Sequence, residues 1–337
     1  MDQIARVAGV SKSTVSRALN DDRRISAATK TRVRDAVLSS GYRGVGRGAA
    51  SRSWTAALLI SDPIGSVEDD LFFSEIIRGI SEHMEAQHYH VLVSTSDGEL
   101  PTSSRLPSVV HRADGVIAGG VRLQSSLVRA LIDGPVPTVF LGRYLRGREM
   151  NAILPDNQEG GRIATGHLLS LGRKRVAFVG GPFDANVYRD RLAGYREAFD
   201  EGERPIEERW IRSTERTAAG GFAATEQLLD EARRSKGHPD AIFAADDWIA
   251  IGVLRALRQR KVRVPDDVAV VGYSDLSLAA IADPPLTTIH VPKRRMGRTA
   301  AKLLLDLVRG DVEGPVQLVI SPHLVVREST EIHGSRP

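Results

Sequence analysis

Two groups of residues in this sequence have the types and spacing for recognition chemistry. The first is Ser11-Lys12-Ser13-Thr14, followed by Ser16, Arg17 and Asn20. Hydroxyls and an amide bind phosphate oxygens without reading sequence, whereas Lys and Arg donate to guanine O6 and N7 in a major groove. The second group is a set of polar residues that close short apolar runs: Asp62, Asp97, Arg143, Asp246 and Asp275. In open α/β sheets, ligands bind beyond the carboxyl ends of the strands. Singly, each such Asp serves as well as an N-cap for the next helix. As a set, with arginines, they point to a ligand cleft.

The elements around the first group form a small helical unit. Residues 2–8 suit a two-turn helix with Ile4, Ala5 and Ala8 on one face. Gly9 breaks it, Ser11 caps a second helix to Asn20, and Ser26 caps a third that ends at Gly41. Small Ala5, flexible Gly9 and inward Val15 and Ala18 match a helix-turn-helix, with Lys12, Ser13, Thr14, Ser16, Arg17 and Asn20 left outside. Charge supports this reading. Residues 1–53 carry eleven Lys/Arg against four acids, a net of +7, and the rest of the chain carries −3. A basic head on a slightly acidic body is the asymmetry of a nucleic-acid-binding module joined to another domain.

Beyond Thr55 the rhythm changes. TAALLISD (55–62), HVLVSTSD (90–97), ADGVIAGG (113–120), PTVFLGR (137–143), RVAFVGGP (175–182), AIFAADD (241–247) and VAVVGYSD (268–275) are nearly continuous apolar runs. Such runs fit strands buried on both faces. Helical patterns lie between them at 74–87, 123–132, 158–171, 190–201, 220–232 and 247–260, with another at 294–309. This alternation predicts an α/β fold with doubly wound parallel sheets, in two lobes that divide near Ile153–Asp156.

Several function classes drop out. The chain has no cysteine, which excludes disulfide scaffolds, thiolate metal sites and cysteine nucleophiles. No apolar run reaches a membrane span, and the first twenty residues lack the apolar core of an export signal, so a cytoplasmic protein is expected. Gly44, Gly46 and Gly48 mimic a dinucleotide fingerprint, but no strand precedes them. His88-Tyr89-His90 has no further metal ligands nearby in sequence. No nucleophile elbow or phosphate-binding loop occurs.

IARVAGVSKSTVSRALN with TRVRDAVLSSGYR resembles the DNA-binding head of the lactose-repressor (LacI/GalR) family of bacterial transcription regulators. DDLFFSEIIRGI, LPDNQEGGRIATGHLLSLGRKRVAFVGGP, YRDRLAGYREAF, AADDWIAIGVLRAL, VPDDVAVVGYSD and PPLTTIHVPKRRMGRTAAKLLLDLV resemble family segments in the same order. The resemblance implies a helix-turn-helix head at 1–42, a linker or hinge at 43–54, and an effector-binding and dimerisation core at 55–333. That core resembles a periplasmic sugar-binding protein. Its N-lobe is expected at about 55–154 and 287–318, and its C-lobe at about 156–285 and 319–333, with three crossovers. By position, the resemblance assigns Lys12, Ser13 and Arg17 to bases. It assigns Ser11, Thr14, Ser16, Asn20, Arg24 and Ser26 to phosphates. It places Asp62, Phe72, Phe73, Arg143, Arg189, Asp246 and Asp275 around the interlobe cleft, and leaves Trp248 as a stacking candidate.

The implied protein is a homodimeric repressor, cytoplasmic and nucleoid-associated, on near-palindromic double-stranded operator DNA. Its effector is a sugar or sugar derivative, with a purine as the other option, and it needs no metal or cofactor. A binding protein or enzyme on the same two-lobed core is the principal alternative; the basic head and the missing export signal speak against it. The linker departs from the family. Residues 43–53 contain three glycines and no Leu to wedge into the minor groove, and each glycine opposes helix by roughly 1 kcal/mol.

Overall fold

The structure, a computed structural model, describes residues 2–331 except 20, 21, 23, 41–52, 61–66, 96–108, 121–125, 146 and 236. The linker expected at 43–54 therefore lies outside the described residues but for Ser53 and Trp54. The head comprises α1 (Asp2–Ala8), α2 (Lys12–Leu19) and α3 (Ala27–Ser40). Gly9 sits at φ 64 with open space where a Cβ would point, so the turn needs its backbone freedom and not its small size. The Ser11 hydroxyl accepts from the Thr14 N–H at 3.1 Å and Ser26 from the Thr29 N–H at 3.3 Å, which caps α2 and α3. Ile4, Ala8, Val15, Ala18, Val33 and Ala36 close a separate small core.

The core begins with β1 (Thr55–Ile60), α4 (Val67–Ala86), β2 (His90–Thr95), β3 (Gly115–Gly119), α5 (Ser126–Ile132), β4 (Thr138–Leu141) and β5 (Ala152–Pro155). The second lobe runs through α6 (Asn157–Ser170), β6 (Val176–Gly180), α7 (Asn186–Glu201), β7 (Ile211–Ser213), α8 (Ala218–Ser235), β8 (Ala241–Ala244), α9 (Asp247–Gln259), β9 (Ala269–Ser274), α10 (Ser277–Ile281) and β10 (Thr287–His290). The chain then returns to the first lobe as α11 (Lys293–Arg309) and β11 (Gln317–Ile320), and ends in the second as β12 (His323–Val325). The sheet orders are β11-β5-β4-β3-β1-β2 and β12-β10-β9-β8-β6-β7. Pairing is parallel throughout except for antiparallel β12 on β10. The inner strands are buried along their whole length, as continuous apolar runs require.

The chain crosses between lobes at Asp156, at 291–292 and at 321–322. This corrects two boundaries. Thr287–His290 pairs with β9, so the first lobe resumes after residue 290 and not at 287. Ile320 pairs with Pro155, so the first lobe extends past 318. Both edges were hidden because short strands at a crossover carry no period that assigns them to one sheet.

Two features fix the first lobe. Helices α4 and α11 touch through glycines: a Cβ on Gly79 would lie 2.1 Å from the Arg294 carbonyl oxygen, and one on Gly297 would lie 2.1 Å from that of Ile76. That close approach buries Ile76, Ile80, Met84, Met296 and Ala300, at about 1.5–3 kcal/mol for each large side chain. Where the linker enters, the Asp114 carboxylate accepts from the Ser53 N–H (2.7 Å), the Ser53 hydroxyl (3.0 Å) and the Trp54 N–H (2.9 Å). Trp54, at φ 55, is buried edge-on against Tyr89 at 5.3 Å.

Candidate functional site

The head presents one polar helix surface. Ser11, Lys12, Ser13 and Arg17 are exposed and Thr14 and Ser16 partly so, while Val15 and Ala18 face inward. Ser11 Oγ lies 2.8 Å from both Ser13 Oγ and Thr14 Oγ1, so three hydroxyls gather at the N-terminus of α2. Unpaired N–H groups and the helix dipole make this end attractive to an anion. Arg17 in the last turn complements the opposite end. Arg24 is exposed and bonded through Nε and Nη2 to Asp22 at 3.0 and 2.7 Å; it holds that carboxyl well below the usual range. Ser26 is exposed at the start of α3. Asn20 lies outside the described residues.

A cavity opens between the lobes at the carboxyl ends of both sheets. Of the residues expected there, Phe72, Phe73, Arg143 and Asp246 line it, and so does the stacking candidate Trp248. Phe72 and Phe73 come from α4 and meet edge-to-face at 5.6 Å. Arg143 follows β4 through Gly142, at φ 72. Asp246 caps α9 by accepting from the Trp248 backbone N–H at 3.0 Å, which places Trp248 in the first turn of that helix. Burial pushes the Asp246 carboxyl up, and Arg216, Arg191 and that N–H offset only part of the rise.

Arg189 and Asp275 do not line the cavity. Arg189 is exposed and donates to Asn186 Oδ1 at 2.5 Å. Its place is taken two residues on by Arg191, which is 5% exposed. Arg191 donates to Asn157 Oδ1 (2.9 Å) and to the Ala245 carbonyl (2.6 Å), and lies 3.6 Å over the Tyr273 ring. Asp275 is turned aside because Ser274 and Asp275 take φ 118 and φ 51, a sharp bend at the end of β9. Its carboxylate instead meets His290 Nδ1 at 2.8 Å and Arg327 Nη2 at 2.7 Å. Burial pushes that carboxyl up, but these two partners outweigh it and bring it down to about 2. Ser274 lines the cavity in its stead. Asp62 lies outside the described residues.

Sequence reasoning missed Tyr188, Arg191, Arg216 and Ser274. Helical phase could have found Arg191, since Tyr188, Arg191, Leu192 and Tyr195 follow i, i+3, i+4, i+7 and are all buried. Beneath the cavity Asp247 is fully buried and accepts from Thr288 Oγ1 (2.6 Å) and the Leu276 N–H (2.8 Å). Burial pushes its carboxyl up to about 7. This Asp ties α9 to β10 and to the turn after β9. Among the described residues no His, Asp or Glu group is placed to hold a metal ion, and no helix is long and apolar enough to cross a membrane.

Residues 1–44 match the family described as bacterial regulatory proteins, lacI family, and residues 165–330 match a periplasmic binding protein-like domain. The chain is 34% identical over 336 residues to the HTH-type transcriptional regulator CelR of Thermobifida fusca, covering 98% of this chain and 97% of that protein. Among solved structures, a complex of the transcriptional regulator CelR with cellobiose superposes with a TM-score of 0.75 at 33% identity, over 97% of this chain and 98% of that one. The lac repressor dimer bound to operator and an anti-inducer gives a TM-score of 0.71 at 28% identity, over 97% of each chain. With a helix-turn-helix head, a two-lobed core and full-length relatives of this kind, the chain belongs to the LacI family of bacterial transcription regulators.

Proposed function

We propose that this regulator is a homodimeric, cytoplasmic repressor that binds a near-palindromic operator and releases or holds it according to a small effector in the interlobe cavity. It acts by binding and carries out no chemistry. The observation that carries the effector reading is the cavity itself, which takes aromatic and guanidinium groups from both lobes and a carboxylate, Asp246, from the second. Rings can cover a sugar face, and Asp246 and the arginines can each hold neighbouring hydroxyls. A similar regulator, CelR, has been solved with cellobiose, which favours a sugar-like ligand over a purine.

In the head, Lys12, Ser13 and Arg17 read bases, while Ser11, Thr14, Ser16, Asn20, Arg24 and Ser26 hold phosphates. In the core, Phe72, Phe73, Arg143, Arg191, Arg216, Asp246, Trp248 and Ser274 contact the effector. One recognition helix covers too few base pairs for useful specificity, and two-fold pairing doubles the contacts. An effector shifts the balance of open and closed lobes only by its differential affinity for the two. The test is a gel shift of the full chain on DNA upstream of its own gene, with and without a panel of sugars. A discrete complex that one sugar strengthens or dissolves is expected; a complex that no ligand alters would refute effector control.

A further inference from the structure

The described cavity walls carry three guanidinium groups, Arg143, Arg191 and Arg216, against one carboxylate, Asp246. The three arginines are not equivalent. Arg191 is committed to Asn157, the Ala245 carbonyl and the Tyr273 ring. Arg216 faces Asp246 electrostatically from the same lobe. Arg143 stands on the opposite lobe, and among the described residues it has no hydrogen bond or ion pair. The rest of the wall is largely apolar, with Phe72, Phe73, Leu141, Val187, Trp248 and Met296. At the end of β9, where a further acid was expected, the wall residue is neutral Ser274.

We infer that the effector carries an acidic group, a carboxylate or a phosphoryl group, which Arg143 takes from the first lobe against the arginines of the second. This inference rests on the effector-site reading above and narrows its ligand class. A neutral sugar closing the lobes would strip water from Arg143 without supplying a counter-charge, and an unpaired charge in an apolar setting is expensive. An acidic ligand supplies that charge, accepts the bidentate guanidinium fork, and gains most when the lobes close. Its hydroxyls are left to Asp246 and Ser274, and its apolar face to the aromatic rings.

The probes are inorganic phosphate, which carries charge without stereochemistry, and the matched set glucose, glucuronate and glucose 6-phosphate. Each is titrated into the full-length protein and followed by calorimetry. The expected result is a saturable response to phosphate and an affinity for at least one acidic sugar about tenfold or more above glucose. That preference should collapse in Arg143→Gln, persist in Arg143→Lys, and weaken as KCl is raised. The ranking of glucuronate against glucose 6-phosphate separates the carboxylate from the phosphoryl form. Glucose binding as tightly as both acids, or no response to phosphate or to either acidic sugar, would overturn the acidic ligand. The gel shift with neutral sugars would then decide the effector-site reading separately.

Discussion

The joint between linker and core can be broken at Asp114. Its carboxylate accepts three hydrogen bonds from Ser53 and Trp54. Bonds to a charged group contribute about 1.5–3 kcal/mol each when isolated, but less when half-buried and never in simple sum, so the three together stabilise the joint by about 3 kcal/mol. They hold Trp54 at φ 55, a left-handed conformation that costs a non-glycine residue roughly 1–2 kcal/mol and is relieved when the joint opens. That strain is relieved on opening with or without the carboxylate and cancels in the comparison, so Asp114→Ala should favour opening by about 3 kcal/mol, roughly a hundredfold or more in population. Asp114→Asn keeps one acceptor oxygen and should fall between. The assay is amide hydrogen exchange of the peptide spanning residues 53–55 in the full chain, alongside the operator gel shift. Faster exchange and a more diffuse DNA complex are expected. Exchange in Asp114→Ala within about threefold of wild type would show that the carboxylate does not hold the joint.

Arg17→Ala should weaken operator binding by about 1–3 kcal/mol and relax preference at one symmetric base pair; an unchanged preference in a randomised-operator selection would remove α2 as the reading helix. Gly297→Ala drives a methyl into the Ile76 carbonyl, and overpacking of this kind should lower stability by about 1–3 kcal/mol in urea unfolding; an unchanged midpoint would mean that α4 and α11 separate freely. Asp275 falls from 3.8 to about 2 in the folded protein, so its contribution is present above its unfolded value and lost as pH drops from about 4 to 2. Arg327→Gln should flatten that part of the stability–pH curve, and identical curves for the two proteins would refute the pairing.

The inner strands and long helices can be read from the sequence because burial on both faces leaves unbroken apolar runs, and amphipathic helices keep their period. The head is legible for the same reason, since Val15 and Ala18 fall inward and the polar residues outward. Short edge strands are not. Gln317–Ile320, exposed but for its last residue, and the partly exposed Ile211–Ser213 are four- and three-residue pieces whose only assignment comes from a distant partner. In the cavity, Phe72 and Phe73 are legible through the resemblance of DDLFFSEIIRGI to a family segment, and both line the wall. Arg189 and Arg191 differ only in helical phase. Asp275 lost its place to Ser274 through two positive φ angles at non-glycine residues, a bend that no residue type there announces.

The three crossings bear on how the protein is made. The first lobe is begun first but completed only after nearly all of the second has been made, since its edge strand β5 waits for β11 and its helix α4 waits for α11. Between them the ribosome must add all of residues 156–292. At about 5–20 residues per second, that leaves an open sheet edge and the apolar Ile76–Ile80–Met84 stripe uncovered for roughly ten to thirty seconds. During that interval the nascent lobe is a natural client for a chaperone and a natural site for misassembly. Damage at the end of the gene acts at a distance for the same reason. A stop codon before β11 would cripple the lobe that the linker enters and leave most of the second lobe's sheet intact.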